Sequence, residues 1–293
     1  MFDNTKKTKK IAGLFVTDLD GTLLTDTGVI SEQDIKSLLS LRASGNLVAI
    51  ATGRSNWSFW KHFTNRSLIP QKPPVDFVIF STGAGIMEFP SGKIISNIQM
   101  DPAALGCVLH KLERAALDYM VPAPIPRTRH FSYRRNTKDN PDFERRLQLY
   151  HRTAYPLVEL QPIGGATEVL VIVPGIQGEE VWRELGTVLP DFNVIRATSP
   201  LDGSSCWIEI FPRNVSKRDA VQYLIDKFSL SEQKVCAVGN DYNDEDLLRW
   251  AGQGYLTANG PADLKRDIPC VASNNQGGVA EAAACWLKAA RVS

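Results

Sequence analysis

The chain has 293 residues, 43% of them hydrophobic and 22% charged, with a formal net charge of +1. That size and balance support a buried core in one large domain or two smaller ones, with no global attraction to nucleic acid or anionic membranes. Five cysteines (Cys107, Cys206, Cys236, Cys270, Cys285) and four histidines are scattered, without a Cys-x-x-Cys, which argues against a disulfide framework or zinc site and fits a reducing compartment.

Residues Met1 to Lys10 are basic, but the apolar stretch that follows is short and ends in Asp18. It reads as neither a signal peptide nor a membrane span, so a cytoplasmic location is expected. Ile11–Val16, Leu47–Ala51 and Phe77–Phe80 are short apolar runs with the character of buried strands. Between the first two, Ser31–Ala43 places Ile35, Leu38, Leu39 and Arg42 at helical spacing, with Ser31 as N-cap and Gly45 as a stop. Strand, helix, strand at this spacing is a βαβ unit and predicts a parallel sheet. The last third repeats the pattern. Helices are expected at Lys217–Phe228, Asp244–Trp250 and Val279–Lys288, and strands at Val235–Val238 and Tyr255–Thr257.

The middle differs in character, being broken by Pro122–Pro126, Gly164-Gly165 and Pro200–Ser204. Its expected strands are Glu168–Val173, Asn193–Ala197 and Cys206–Phe211, with helices at Ala103–Leu117 and Glu179–Leu189. The organisation predicted is α/β: a Rossmann-like parallel-sheet core from residues 1–84 and 212–293, with an α+β cap domain, 85–211, inserted between.

Polar clusters follow four of the predicted strands: Asp18–Asp20, Thr52-Gly53-Arg54, Ser81-Thr82-Gly83 and Asn240–Asp244. Ligands of open parallel sheets bind beyond the carboxyl ends of the strands, so neighbouring strands would bring these clusters together. As a set they suit phosphoryl transfer. Carboxylate and carbonyl oxygens suit magnesium, one aspartate can attack phosphorus, and a second two residues on can handle the proton. Thr52 offers a hydroxyl, Gly53 a backbone N–H and Lys217 a positive charge to the phosphate. Each cluster alone has a plainer reading. Asp-Gly ends many strands, Thr-Gly-Arg is an ordinary turn, and acids suit a helix start. Lys217 alone reads as a solvated helix N-terminal residue, although a cation there is electrostatically misplaced, which favours a role.

"DLDGTLL", "ATGR", "VSKRDAV" and "VGNDYNDEDLL", in this order, resemble the four motifs of the haloacid dehalogenase-like phosphatases. More narrowly the chain is similar to the Cof-type branch, whose α/β cap lies between the second and third motifs. The similarity extends into the tail "TANGPADLKRDIPCVASNNQGGVAEAA". The resemblance implies that Asp18 is nucleophile and magnesium ligand, and that Asp20 is general acid/base with its backbone carbonyl on the metal. It implies phosphate contacts from Thr52, Lys217, Gly53 and Asn243, and mobile elements from Gly21 to about Gly28.

One departure stands out. The family's fourth motif reads Gly-Asp-x-x-Asn-Asp, whereas here Asn240 occupies the position of the first acid. An amide oxygen can ligate magnesium but brings no charge, so Asn240 is expected as ligand with Asp241 and Asp244 supporting. The basic stretch "PRTRHFSYRRNTKDNPDFERR" is expected to be a solvated loop or helix face. A sharper reading sends Arg127, Arg129, Arg134 or Arg135 to an anionic substrate, and leaves Trp57 and Trp60 to packing. The implied function is Mg2+-dependent hydrolysis of small phosphorylated metabolites, sugar phosphates above all, through an aspartyl-phosphate. The expected partner is that metabolite alone, without nucleic acid or membrane, acting on a monomer or homodimer. Alternatives are a phosphomannomutase-like phosphomutase and, further off, a non-catalytic binding protein.

Overall fold

The protein is described by a computed structural model that covers residues 11–64, 72–158 and 164–289. The chain begins with β1 (Leu14–Thr17), α1 (Glu32–Ala43), β2 (Leu47–Ala51), α2 (Asn56–Thr64), β3 (Phe77–Phe80), β4 (Gly85–Glu88) and β5 (Ile94–Asn97). It continues with α3 (Pro102–Arg114), β6 (Tyr119–Pro122), β7 (Phe131–Arg134), α4 (Pro141–Leu149), β8 (Ala154–Pro156), β9 (Val169–Val173), α5 (Gly178–Val188), β10 (Phe192–Thr198) and β11 (Cys206–Pro212). It ends with α6 (Lys217–Phe228), β12 (Val235–Gly239), α7 (Glu245–Trp250), β13 (Gln253–Thr257), β14 (Cys270–Val271) and α8 (Gly278–Ala289).

Eight strands form the core sheet in the order β14-β13-β12-β1-β2-β3-β4-β5, parallel up to β3 and antiparallel beyond it. Successive residues of its strands face opposite ways, as the pleat requires. Phe15, Val48, Ile50 and Val238 pack under α1, α2 and α8, while Leu14, Val16, Ala49 and Ala237 pack under α6 and α7. Both faces are therefore dry, which is why these strands read as unbroken apolar runs rather than as alternating ones.

The second sheet has the order β10-β11-β9-β6-β7-β8 and is antiparallel except where β8 meets β7. Helices α3 and α5 cover one of its faces, and α4 packs on the other. The fold is thus α/β, a Rossmann-like core carrying an inserted α+β cap. Strands β4 and β5 pair onto β3, so the expected start of the insertion at residue 85 lies inside the core sheet. The cause is the reversal at Ser81-Thr82-Gly83, where Gly83 has φ +111° and folds the following apolar run back as a hairpin. The crossing to the second sheet comes after Asn97, and the return follows β11. Within the basic stretch, expected as a loop or helix face, the chain forms both β7 and α4. Among the described residues no helix is long and apolar enough to cross a membrane.

Helix α1 starts as its sequence requires, with the Ser31 hydroxyl accepting from the Asp34 N–H. The Asp34 carboxylate is buried, and it accepts from the Ser31 hydroxyl at 2.6 Å and the Ala280 N–H at 2.9 Å. It thereby ties α1 to the start of α8. Asp34→Ala leaves the Ala280 donor unmet and is expected to cost about 1–3 kcal/mol, read as a lower urea midpoint at unchanged m-value.

Candidate active site

Asp18 follows β1, the Asn240–Asp244 loop follows β12, and Thr52 follows β2; β1 pairs in parallel with both β12 and β2. All three segments therefore leave the sheet at the same edge. Lys217 arrives from the start of α6, where Ser216 caps the helix. Its ammonium is fully buried and donates to Asp18 Oδ1 at 2.7 Å, Asp244 Oδ1 at 2.6 Å and Asn243 Oδ1 at 3.5 Å. Asp244 Oδ2 in turn accepts the N–H groups of Asn240 and Asp241 at 2.9 and 3.1 Å. A Cβ on Gly239 would stand 2.4 Å from Asp244 Cγ, so only glycine lets that carboxylate in.

Two carboxylates share one ammonium in a site with little water. The Asp18 carboxyl is held up at about 7, raised by burial and by the Asp244 charge against the pull of Lys217. Burial works against the Lys217 charge too, but Asp18 and Asp244 outweigh it and hold the ammonium above its ordinary range.

Asn240 completes the other side. The terminal atom of its amide that faces the nucleophile lies 3.1 Å from Asp18 Oδ2, 2.9 Å from the Asp20 carbonyl oxygen and 2.8 Å from Thr22 Oγ1. With nitrogen there, the amide donates to all three. With oxygen there, Asn240 Oδ1, Asp18 Oδ2 and the Asp20 carbonyl form a pocket of hard oxygens with no proton between them. That donor set fits magnesium, which takes one or two carboxylates and fills its remaining positions with water and substrate.

The Asp20 side chain is held apart from this cluster. Arg54 grips it bidentately, Nε to Oδ2 at 2.7 Å and Nη2 to Oδ1 at 2.6 Å. Thr52 is buried and its hydroxyl accepts from the Arg54 N–H at 3.0 Å, which leaves the hydroxyl proton free to be donated. Gly53 is open to the cleft. A Cβ there would meet Thr82 Oγ1 at 3.5 Å, Glu209 Oε1 at 3.7 Å and Asn243 Nδ2 at 3.8 Å. Thr52 and Gly53, Lys217 and Asn243, from three segments far apart in sequence, thus surround one small space beside Asp18.

Asp241 does not join the oxygen pocket. Its carboxylate accepts from the Thr198 N–H at 2.7 Å and the Thr198 hydroxyl at 3.0 Å, tying this loop to the cap. Asp244 stands behind Lys217. The support expected of these two acids is therefore indirect: one orients the lysine and the other engages the cap. The basic stretch also sorts itself differently from the expectation. Arg134 pairs with Glu113 and Arg135 with Glu144, while Arg129 lies over the Trp57 ring at 4.5 Å.

Three features were not read from the sequence. Arg54 lies in the quoted "ATGR" but was given no role, although an arginine two residues beyond a phosphate-site threonine is a candidate clamp for a nearby acid. Glu209 is the one charge in the apolar run "CWIEIF", and the Thr82 hydroxyl donates to its Oε2 at 2.6 Å across from the core. Glu168, just before β9, faces it on the cap. Burial, then the Glu209 charge, holds the Glu168 carboxyl up to about 8, with Arg146 pulling the other way.

Residues 15–282 match the family model of the haloacid dehalogenase-like hydrolases. The chain belongs to that family of enzymes. A candidate phosphatase of Haemophilus influenzae is 26% identical over 277 residues, covering 90% of this chain and 93% of its own length. The fold is shared with the phosphatase BT1666 from Bacteroides thetaiotaomicron at a TM-score of 0.72 and 17% identity, over 98% of each chain. It is shared also with the subclass IIB sugar phosphatase BT4131, at 0.70 and 17% identity, over 94% of this chain and 98% of that one.

The Glu168 environment has a measurable consequence. An unfolded chain ionises this residue near 4.5, whereas the folded one keeps the proton until about 8. The folded state binds more protons in that interval, so wild-type stability falls as pH rises through it and levels off above. Glutamine does not titrate. The difference in melting temperature, Glu168→Gln minus wild type, is expected to grow more positive from about pH 5 to pH 8 and then flatten. A difference constant with pH would contradict this.

Proposed function

We propose that the chain is a magnesium-dependent phosphatase of small phosphorylated metabolites, with sugar phosphates as its substrates. The observation that carries the reading is the division of labour at Asp18: one carboxylate oxygen on Lys217, the other turned to the Asn240 amide beside the Asp20 carbonyl. A carboxylate held in this way is oriented for attack and is not consumed by an ordinary structural salt bridge. The sugar preference is supported by the shared fold with BT4131, whose description is that of a sugar phosphatase.

In this reading Asp18 attacks phosphorus while the bond from phosphorus to the leaving oxygen breaks. Asp20 delivers a proton to that oxygen, and an aspartyl-phosphate remains on Asp18. Asp20 then takes a proton from water, the water attacks phosphorus, and the bond to Asp18 breaks to restore the carboxylate. Thr52, Gly53, Asn243 and Lys217 donate to the phosphate oxygens throughout. Both Asp20 oxygens accept from Arg54, and each keeps a second lone pair for the proton that Asp20 takes or gives. A phosphate dianion competes for the same guanidinium and would release it. Magnesium, held by Asp18 Oδ2, the Asp20 carbonyl and Asn240 Oδ1, would supply the charge that lets an anionic nucleophile approach an anionic ester.

Phosphate release from a panel of sugar phosphates and p-nitrophenyl phosphate, with magnesium, tests this directly. Turnover is expected to vanish with chelator and to fall about ten-thousand-fold in Asp18→Asn. No release from any ester would overturn the reading, and isomerisation of a sugar phosphate without release would point to a mutase. Asn240→Asp puts a charge on the metal and removes the amide that satisfies Asp18 without it. Magnesium affinity is expected to rise about tenfold or more. The metal-free melting temperature should drop at the same time. An unchanged magnesium titration would remove Asn240 from the ligand set.

A further inference from the structure

The acid proposed to move the proton sits in a turn that the tail of the chain holds from outside. Leu23 and Leu24 both donate their N–H groups to the Leu19 carbonyl, at 3.1 and 2.8 Å, so the chain wraps closely around Asp20 and Gly21. Beyond that wrap, the Thr25 N–H donates to the Val29 carbonyl at 2.9 Å, and the Gly28 N–H donates to that of Thr25 at 2.8 Å. Asp18 is anchored separately, its N–H on the Val238 carbonyl at 2.8 Å and its carboxylate on Lys217.

Three asparagines from the tail reach this turn. Asn259 follows β13 and Asn274 follows β14, strands that run parallel to β1 through β12, so both residues leave the sheet at the edge where Asp18 lies. Asn259 Nδ2 donates to the Gly21 carbonyl at 2.8 Å. Asn274 is buried, and its Nδ2 donates to the Leu24 carbonyl at 3.0 Å and to Asp26 Oδ1 at 2.9 Å. The Asn274 N–H donates to Asn259 Oδ1 at 3.1 Å, which joins the two asparagines into one unit. Asn275 adds two hydrogen bonds, donating to Asp26 Oδ2 at 2.8 Å and accepting from the Asp26 N–H at 3.0 Å. Asn274 and Asn275 hold the Asp26 carboxyl below its ordinary range, so it accepts as a carboxylate. The turn is therefore gripped on both sides of Asp20. One grip is on Gly21, just after it, and the other is on Leu24, whose N–H is bonded to Leu19 just before it. Arg54 cannot replace them, because a guanidinium on a long side chain can follow a carboxylate that moves.

We propose that Asn274 and Asn259 are positioning residues for Asp20, fixing the turn so that its carboxyl meets the leaving oxygen. The inference rests on the phosphatase reading and adds to it the residues that set the proton transfer. In that transfer the proton passes from the Asp20 carboxyl to the leaving oxygen as the bond to phosphorus breaks, its electron pair going to that oxygen. The two heavy atoms must come within roughly 2.6–3.2 Å, so a small drift of the turn loses the acid. Thr52, Lys217 and Asn243 lie on other segments and keep their hold on the phosphate. How much the proton matters depends on the ester. A sugar alkoxide leaves poorly without it, whereas p-nitrophenolate spreads its charge over ring and nitro group and leaves with little help. The work of the asparagines is therefore visible only where the acid is needed.

The test compares kcat/KM for a hexose 6-phosphate and p-nitrophenyl phosphate in wild type, Asn259→Ala, Asn274→Ala and each of these combined with Asp20→Asn. Where turnover is slow, release of the leaving group is followed with enzyme in excess. Each asparagine variant is expected to lose about ten- to a hundredfold on the hexose phosphate and about threefold or less on p-nitrophenyl phosphate. In the Asp20→Asn background the acid is gone, and the same substitutions are expected to leave the ratio of the two esters unchanged. Asn274→Ala vacates a buried position and risks the fold of the tail, whereas Asn259 is exposed, so Asn259→Ala keeps the comparison on a folded chain. A ratio unchanged in both asparagine variants, which includes equal losses on both esters, overturns the proposal. A further fall in the ratio when either is added to Asp20→Asn also overturns it. Absence of all turnover in wild type is a different outcome, and it removes the phosphatase reading itself.

Discussion

Everything at the sheet edge is arranged around one buried ammonium. Lys217 has no access to solvent and is held by Asp18, 199 residues before it, and Asp244, 27 residues after it. Burying three charges costs several kcal/mol per ion, and the attraction offsets that cost only with close geometry on both sides. Lys217 also sits at a helix N-terminus, where the backbone dipole disfavours a cation. Its position is intelligible only with both acids in place.

The same loop that supplies Asp244 touches the cap. Asp241 takes two hydrogen bonds from Thr198, and Arg196 lies 3.6 Å from the Tyr242 ring centre. On other sides Thr128 donates to Asn56 and Thr82 to Glu209. Beside these polar contacts, Tyr150 meets Trp57 edge-on and Ile125 joins the apolar cluster of the core. Interfaces of that kind within a chain permit relative motion. Because Asn240, Asp241 and Asn243 share one short loop, cap position and site geometry are linked through its backbone.

Much of this was legible from the sequence, and the limits have physical causes. The buried strands and α1 were readable because short apolar runs, Ser31 and Gly45 act locally. The convergence of Asp18, Thr52 and the Asn240–Asp244 loop followed once parallel strands were placed side by side, whereas Lys217 comes from the start of a helix. The second sheet was read less well. Strand β8 is the sheet edge and β7 its neighbour, and both are partly exposed, so their residues lack an apolar signature. Helix α4 was masked by its charges, although Asn140 and Pro141 mark its start as cap and first turn. Position of the cap relative to the core has no local signal at all. Glu209 announced itself only as a lone charge in an apolar strand, and which residue it meets is a long-range fact.

Asp20-Gly21 shows why the plainer reading and the functional one need not compete. Gly21 has φ +73°, a conformation that a turn there requires and that side chains disfavour. A Cβ on Gly21 would also stand 2.6 Å from Asn240 Nδ2, so any larger residue would displace the amide from the Asp20 carbonyl and Asp18. The glycine that ends the strand is thus the one that lets the β12 loop close on the nucleophile. Turn chemistry predicts the dipeptide, and the site explains why the turn must be this tight.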